Sequence, residues 1–441
     1  MKAWYLGVLY SAGAYAAEMP SLLVVNGVDA TLDLLDMEQG HLRRNIAPLP
    51  TYATDVAILH QFAYVTGSGD SSISRINLET EFVDANWVQL PPLSGPWGIS
   101  VYDDHTAWVV LSGLDAAQKF NPSTGELRGG PVPVGNFPEG CTIYGNKLFV
   151  AVTGLDFDSF QYVDPGVAVL DVDTGDLLGR IDTAPNPQDV TGWGGKIFTV
   201  CTGDYASIES AVAVVDAENL SLLSTMPVGG SAGSIAIDET GTGYLGDNGF
   251  IHSGLYRFDA TTLELRDGPG APITTDPTSA VLPDNRHREL FTARYDFSAG
   301  GLIRWSLPDM VAQAGWNTGA GPVALSLWSA PSIDIALDPI GAPVAPGSRA
   351  TVSGQLHNST DEEQTGWVQI DAYRPDDSPA PGNPVLIAGP FVLPAGTTLT
   401  RSRTVRVPPA APCGSYRLVA RARGPRGLER LDTASTELEV Q

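Results

Sequence analysis

Cysteine, lysine and histidine are all scarce in this 441-residue chain, which has three cysteines and six histidines. Three cysteines cannot form a disulfide framework, and no Cys-x-x-Cys motif or zinc-type Cys/His spacing is present. Cys141 and Cys201 are expected to be buried free thiols, with a bridge between them as the alternative. Basic residues number 25 against 50 acidic residues, a net charge of -25. The chain therefore lacks the basic face that binding a nucleic acid requires.

Long apolar runs are also missing beyond the N-terminus. No later run approaches the roughly 18 apolar residues of a membrane-spanning helix, so we expect no transmembrane segment. Residues 1–17 combine one positive charge, an apolar run and the small-x-small site Ala14-Tyr15-Ala16, which is typical of a secretory signal peptide. A buried first strand is the alternative. The sequence thus predicts a protein that is secreted or displayed on the cell surface.

A repeat of about 40 residues accounts for most of the chain. It recurs at residues 32–67, 73–113, 117–154, 167–204, 212–247 and 255–294. Each copy has four short alternating runs separated by Asp-Gly or Asp-x-x-Thr-Gly turns, which predicts a four-stranded antiparallel unit. Such units bury their faces only against neighbouring units, so we expect them to form a ring or a solenoid.

The two ends of the repeat region indicate how a ring would close. Residues 301–329 supply about three strands of a further unit, and the isolated run 21–27 matches the strand that they lack. Pairing the two would complete a seventh unit and remove exposed sheet edges. We therefore predict a seven-bladed β-propeller over residues 18–331. Six or eight blades would follow if one boundary were misread.

Three recurring motifs suggest a family. They are the turn V-x-V-x-D-x-x-T-G, the step G-x-x-P-x-[GD]-[IV] and the final strand L-[YF]-V-x-x-x-G. Through them, residues 20–330 resemble the YVTN-type β-propeller repeats of bacterial and archaeal surface proteins. The resemblance implies secretion or surface display, and it implies no particular reaction.

Residues 332–441 lack the repeat and differ in charge. Their net charge is -2, whereas residues 1–331 carry -23. Seven short strand-like runs with turns between them predict an immunoglobulin-like β-sandwich. The segments L-P-A-G-T and P-C-G-S-Y-R-L resemble accessory sandwiches of secreted bacterial proteins, which space, attach or bind carbohydrate. The expected fold is therefore all-β, a seven-bladed β-propeller followed by an immunoglobulin-like β-sandwich.

An aspartate follows the second strand of every predicted blade, on the end of the ring where the links between blades also open. A ring of seven carboxylates would attract cations or a basic ligand, and its hard oxygen atoms would suit Ca²⁺. The alternative is a structural role, because aspartate in turns accepts backbone N–H bonds. No other cofactor is expected. The seven residues are Asp29, Asp70, Asp115, Asp156, Asp204, Asp247 and Asp296.

Other side chains on the same predicted face form a candidate ligand site. Aromatic residues over an acidic mouth would suit stacking of sugars or peptides, although they could simply cover the sheets. The loops 157–166, 205–211, 248–254 and 295–301 are the longest, which predicts an off-centre site. The candidate residues are Trp97, Glu139, Gln188, Asp189, Tyr205, His252, Arg294 and Tyr295.

No catalytic residue is assigned, because no nucleophile, base or metal centre is recognisable. We therefore expect a secreted or cell-surface protein for binding, adhesion or surface assembly, with an extracellular protein or glycan as ligand. Self-assembly through the sandwich is a variant of this hypothesis. The alternative is a secreted carbohydrate-active or lyase-type enzyme, in which Glu139 and Asp189 could act as acid and base. Convergence of these two carboxylates with His252 and Arg294 in one pocket would favour the enzyme.

Overall fold

The structure is a computed structural model, and it describes residues 20–249, 252–328, 333–360, 363–424 and 430–441. The expected signal peptide lies outside the described residues. Strands dominate the described chain, which also contains the short 3-10 helix Ser112–Leu114. Within these residues, no helix is long and apolar enough to cross a membrane. All three cysteines are free thiols, so Cys141 and Cys201 are not bridged.

Seven antiparallel sheets of four strands each, which we call blades 1 to 7, are built from residues 21–328. Blade 1 contains β1 (Ser21–Asn26), β2 (Thr31–Asp36), β3 (His41–Pro48) and β30 (Pro322–Trp328); blade 2 contains β4 (Ala53–Leu59), β5 (Phe62–Gly67), β6 (Ser72–Asn77) and β7 (Val83–Gln89); blade 3 contains β8 (Pro96–Asp103), β9 (Thr106–Leu111), β10 (Ala116–Phe120) and β11 (Leu127–Pro133).

The remaining blades follow in chain order. Blade 4 contains β12 (Pro138–Tyr144), β13 (Lys147–Val152), β16 (Gly166–Asp171) and β17 (Leu177–Asp182), with the hairpin β14 (Leu155–Asp156) and β15 (Gln161–Tyr162) between its second and third strands; blade 5 contains β18 (Pro187–Trp193), β19 (Lys196–Cys201), β20 (Ala211–Asp216) and β21 (Ser221–Pro227); blade 6 contains β22 (Ala232–Ile237), β23 (Thr242–Asn248), β24 (Ser253–Asp259) and β25 (Leu265–Asp267); blade 7 contains β26 (Thr278–Asp284), β27 (Glu289–Arg294), β28 (Gly301–Ser306) and β29 (Val311–Asn317).

The inner strands close the ring. Contacts run in order through β30, β4, β8, β12, β18, β22 and β26, and then return to β30. The predicted seven-bladed β-propeller is therefore confirmed. We call the end of the ring that carries the loops between second and third strands the loop face.

Ring closure joins the two ends of the repeat region. Strand β30 pairs with β1 along its length, from Ser21 opposite Trp328 to Asn26 opposite Pro322. Blade 1 therefore takes one strand from the C-terminal side and three from the N-terminal side. Our predicted blade boundaries were wrong by two strands. Each sequence repeat contains the two outer strands of one blade and the two inner strands of the next. Residues 301–329 thus belong to blades 7 and 1.

The core lies between adjacent blades. Strands β1 and β9 are buried at every position because both faces of each sheet pack on a neighbour. This explains their unbroken apolar runs, where a half-exposed strand would alternate. Leu23 and Val25 pack in one cluster with Val56 and Val65 of blade 2. The outer strand β3, by contrast, is mostly exposed.

The C-terminal residues form two antiparallel sheets around a separate apolar core. One sheet has the order β31-β32-β35, and the other has the order β34-β33-β36-β37, so β34 and β35 are edges of different sheets. The strands are β31 (Ile333–Leu337), β32 (Arg349–Asn358), β33 (Gln364–Tyr373), β34 (Leu386–Leu393), β35 (Thr398–Arg406), β36 (Gly414–Arg423) and β37 (Arg430–Val440). The predicted boundary between residues 331 and 332 lies outside the described residues, which omit 329–332.

A buried ionic network joins this sandwich to the propeller. Arg421 is 0% exposed. Its guanidinium binds Asp371 of its own sheet and lies 2.6 Å from Asp103 at the end of β8. Tyr373 of the sandwich donates a hydrogen bond to Asp173, in the turn after β16, at 2.8 Å. Both propeller carboxylates lie opposite the loop face, so the loop face stays free.

Candidate functional site

A β-bulge marks the start of the inner strand in every blade. The register between the first and second strands shifts there in all seven sheets. The shift leaves Trp97, Glu139 and Gln188 without a paired position on the second strand. Because a bulge redirects its side chain, these residues are presented at the mouth of the ring on the loop face.

Two carboxylates near the start of inner strands, on β4 and β18, connect neighbouring blades. Asp55 accepts a hydrogen bond from the Val56 amide at 2.8 Å and one from Ile99 of the next blade at 3.0 Å. Asp189 repeats the arrangement with Val190 at 2.8 Å and Ile235 at 3.0 Å. Both side chains are therefore engaged in holding blades together.

Burial dominates the titration of these two groups. It raises the pKa of Asp55 to about 7, against the opposing effect of the two amides. It likewise raises the pKa of Asp189 to about 6. Near neutral pH, Asp55 is therefore partly protonated, whereas Asp189 is mostly ionised.

Glu139 differs from both because its carboxyl has no hydrogen-bond partner among the described residues. It is 8% exposed, and its carboxyl oxygens are not among the fully buried polar atoms, so solvent can reach them. Burial, followed by the nearby charge of Asp189, raises its pKa to about 8. At neutral pH Glu139 is therefore a protonated acid, which offers one O–H donor and one carbonyl acceptor.

Polar groups of blade 5 lie beside Glu139. The Gln188 amide donates a hydrogen bond to the Tyr205 hydroxyl at 2.7 Å. Burial, followed by the charge of Glu139, raises the pKa of Tyr205. Gly233 of blade 6 leaves room for this amide, because a Cβ at that position would lie 2.7 Å from the Gln188 side-chain oxygen and would displace it.

An aromatic cluster forms the other side of the mouth. The Phe137 ring lies 6.5 Å from Trp97 and 4.9 Å from Phe157, with the second contact edge to face. Phe157 projects from the loop that folds into the β14–β15 hairpin and is 55% exposed. Sequence reasoning missed Phe137, whose only signal is its position in the link between β11 and β12. We call Trp97, Phe137, Glu139, Phe157, Gln188 and Tyr205 the mouth site.

The seven aspartates after the second strands accept backbone hydrogen bonds from their own loop or from a neighbouring segment. Asp204 accepts hydrogen bonds from the amides of Ala206, Ser207 and Ile208. Asp247, which is fully buried, accepts from the Ser231 amide at 2.8 Å. The others do the same with nearby donors: Asp29 with Ala320, Asp70 with Thr51, Asp115 with Phe137, Asp156 with Asp158 and Asp296 with Ser298.

This use of the carboxylates corresponds to the structural alternative. Among the residues that the structure describes, no group of three or more His, Cys, Asp or Glu side chains is placed to hold a metal ion. The structure does not bring the seven aspartates together, so the Ca²⁺ hypothesis has no geometric support in this part of the chain. Instead, each carboxylate fixes its own turn or joins its loop to a neighbouring segment.

The remaining candidates belong to blades 6 and 7, which contribute no residue to the mouth site. Arg294 of blade 7 donates to its own loop at the Ala299 carbonyl, 3.2 Å away. Tyr295 contacts Phe297 edge to face at 5.1 Å. His252 is an exposed residue of blade 6. In the described chain, no hydrogen bond or ion pair connects His252 or Arg294 with Glu139 or Asp189, so the convergence expected of an enzyme is not seen.

No family model and no curated protein sequence matches the chain. Solved structures do resemble it. A functionally unknown protein from Desulfotomaculum acetoxidans DSM 771 has a TM-score of 0.54 at 14% identity, over 70% of this chain and 98% of that one. Dihydro-heme d1 dehydrogenase NirN has 0.49 at 15%, over 73% and 78%. Virginiamycin B lyase from Staphylococcus aureus has 0.48 at 12%, over 60% and 83%. Identities this low concern the fold alone.

Proposed function

We propose that the protein is a non-enzymatic binding protein, secreted or displayed on the cell surface, whose mouth site binds a neutral sugar ring of an extracellular glycan. The observation that carries this proposal is Glu139, a largely buried protonated acid at an open mouth, whose carboxyl has no partner among the described residues. Water or a ligand must provide its hydrogen bonds, since an unsatisfied polar group would cost free energy. A sugar hydroxyl can both donate to and accept from it.

The surroundings of Glu139 fit the same ligand. Trp97, Phe137 and Phe157 offer the apolar ring faces on which the C–H face of a sugar packs. Gln188 and Tyr205 place amide and hydroxyl groups on the opposite side. A few convergent polar groups beside aromatic side chains are typical of small-ligand sites. A cationic ligand fits less well, because the nearby carboxyls are neutral or bound to amides.

The test is a glycan array probed with the full chain. Phe157→Ala should reduce binding about fivefold, since the lost stacking contributes around 1 kcal/mol. Phe297→Ala is the matched control, because it removes an exposed phenylalanine from the corresponding loop of blade 7. Binding to peptides only, or an equal loss in both variants, would overturn the proposal.

The enzyme alternative has one carboxylate too few. Glu139 is free to transfer a proton, but the Asp189 carboxylate accepts two amides and serves the fold. A two-carboxylate hydrolysis requires both groups to face the substrate. Incubation of a bound glycan with the protein, followed by mass spectrometry, would reveal shortened products if the alternative held.

The proposal includes the export and family assignments. Residues 1–17 would be removed as a signal peptide, and the propeller would belong to the YVTN-type repeats. Strand order supports an immunoglobulin-like sandwich: β31-β32-β35 and β33-β36-β37 keep the A-B-E and C-F-G neighbours, while β34 joins the second sheet. N-terminal sequencing of exported protein should give a chain that starts near residue 18.

A further inference from the structure

A cavity of about 370 Å³ opens between the two sheets of the C-terminal sandwich. It lies on the side where β34 and β35 are edge strands of different sheets and do not pair. Its volume is within the range of about 300–1,000 Å³ that is typical of small-molecule sites. We call it the sandwich cleft.

The sandwich cleft is apolar at one end and basic at the other. Leu399 on β35 lies opposite Leu356, which in turn lies opposite Ile335, and Phe391 approaches from β34. Further along β35, Arg401 and Arg403 line the same cleft. From Leu399 to Arg403 the strand rises about 13 Å, at roughly 3.3 Å per residue. In polarity and length, the cleft therefore matches an amphiphile with a charged head group and an apolar tail.

The two arginines occupy core-facing positions. On β35 they share a face with Leu399 on one side and with Val405 on the other, and Val405 is buried in the sandwich core. Arg401 pairs with Gly354, which has no side chain to fill the space opposite it. A charge on the inner face of an edge strand also discourages edge-to-edge pairing. That role explains the position of the arginines, but it leaves the cavity between the sheets unfilled.

Neither arginine has a counter-ion. Within the described residues Arg401 and Arg403 form no ion pair, and each donates a hydrogen bond to a carbonyl of its own strand, Thr400 and Ser402 respectively. By contrast, arginines of the propeller such as Arg75 and Arg257 pair with carboxylates at 2.5 and 2.8 Å. Two unpaired cations at the rim of an apolar cleft complement an anionic head group.

We propose that the sandwich cleft binds a single-chain anionic amphiphile of the fatty-acid class. Its tail lies against Ile335, Leu356, Phe391 and Leu399, and its carboxylate reaches Arg401 and Arg403. This site is independent of the mouth site, since it lies in the C-terminal sandwich and binds an anionic amphiphile instead of a neutral sugar.

Calorimetric titration of the full chain with dodecanoate, below its micelle concentration, tests the proposal. We expect saturable binding of one molecule per chain. The double variant Arg401→Gln/Arg403→Gln should bind at least tenfold more weakly, and dodecan-1-ol should bind more weakly than dodecanoate. Arg406→Gln is the matched control, because it removes the same charge from the same strand outside the cleft lining. Its affinity should stay within twofold of the wild type.

A third variant, Ala388→Phe, fills the cleft from β34 and should abolish binding without removing a charge. Far-ultraviolet circular dichroism and urea midpoints confirm that each variant is folded. The proposal is overturned if the wild type shows no saturable binding, or if Arg406→Gln weakens binding as much as the double variant. It is also overturned if dodecanoate fails to bind and Ala388→Phe converts a dimer to a monomer, since the cleft would then join two copies.

Discussion

Replacing Arg421 by methionine tests how the sandwich is held on the propeller. The guanidinium is fully buried and contacts Asp371 and Asp103. It also makes a cation–π contact with the Tyr102 ring, whose centroid is 4.5 Å away. Methionine has a similar length and no charge. The substitution therefore leaves two carboxylates in a dry interface with no cation between them.

The magnitude follows from the asymmetry of buried ion pairs. Removing one partner costs about 3–5 kcal/mol, because the remaining charge is desolvated and uncompensated. This corresponds to a factor of roughly 150 to 5,000 in the equilibrium between folded and unfolded states. The matched control is Arg128→Met, which removes the partner of Asp377 in another pair between the two parts, 3.0 Å apart. Both of its side chains are at least a third exposed, so less than about 1 kcal/mol should be lost.

The loss in Arg421→Met should depend on pH in a defined direction. In the wild type, burial opposes ionisation of Asp103, but Arg421 and the His105 amide outweigh burial and lower the pKa of Asp103. That stabilisation is present above the unfolded pKa of about 4 and is lost as the pH falls through the folded pKa. Without Arg421, burial raises the pKa instead, so the variant loses stability as the pH rises. The difference between the two proteins should therefore grow from pH 5 to pH 8.

Equilibrium urea unfolding followed by circular dichroism measures this difference at both pH values. A further variant, Arg421→Met with Asp103→Asn and Asp371→Asn, should recover part of the stability and remove the pH dependence. A loss in Arg421→Met below about 1 kcal/mol, or one that is equal at pH 5 and pH 8, would contradict a buried network. It would mean that the sandwich does not dock here in solution.

Three further outcomes are expected from the propeller. Glu139→Gln should match the wild type at pH 4 but be more stable by a few kcal/mol at pH 9 in urea unfolding, because the wild-type acid is protonated when folded and ionised when unfolded. EDTA should leave the thermal midpoint of unfolding unchanged, and a midpoint lowered by EDTA would restore the calcium hypothesis. Asp247→Ala should reduce the free energy of unfolding by about 1–3 kcal/mol, because it removes the carboxylate that accepts the buried Ser231 amide. Leu23→Ala, between blades 1 and 2, should cost about 2–5 kcal/mol, and the exposed control Leu222→Ala less than about 1 kcal/mol.

The architecture of the propeller could be predicted because its pattern is local. Each repeat encodes its strands and turns within a short window, and runs such as 21–26 and 106–111 show that the second strand of a blade is buried on both faces. Ring closure also followed, since an isolated strand and an incomplete unit each lack a partner. The blade boundaries within the repeat could not be predicted, because any four consecutive strands of the repeat give the same alternating antiparallel pattern.

The mouth site could be predicted only in part, because its geometry depends on features that the sequence pattern does not encode. Trp97, Glu139, Gln188 and Tyr205 were found from their position at the ends of strands. Their convergence depends on the bulges, which change register without a distinctive residue. The contact of Arg421 with Asp103 was not predictable either, since 318 positions separate the two residues.

Charge was the least reliable guide to the chemistry. Residues 1–331 have a net charge of -23, which suggested a cation site at the mouth of the propeller. Buried carboxylates respond to desolvation by binding protons, and turn carboxylates respond to nearby amides by accepting hydrogen bonds. Glu139 and Asp204 show the two responses, with the pKa raised in the first and lowered in the second. Asp204 keeps its charge and directs it at amides of its own loop, whereas Glu139 in the mouth site is protonated at neutral pH, so we propose a neutral ligand there.

The two proposed sites then differ in charge for a physical reason. In the propeller, arginines such as Arg75 and Arg257 pair with carboxylates in a strongly acidic setting, whereas Arg401 and Arg403 of the near-neutral sandwich form no ion pair with any described residue. An anion approaching the propeller is repelled by its net charge, so an anionic ligand can be favoured only where the acidic background ends. Since the Arg421 network holds the sandwich opposite the loop face, each site is left open to its own class of ligand.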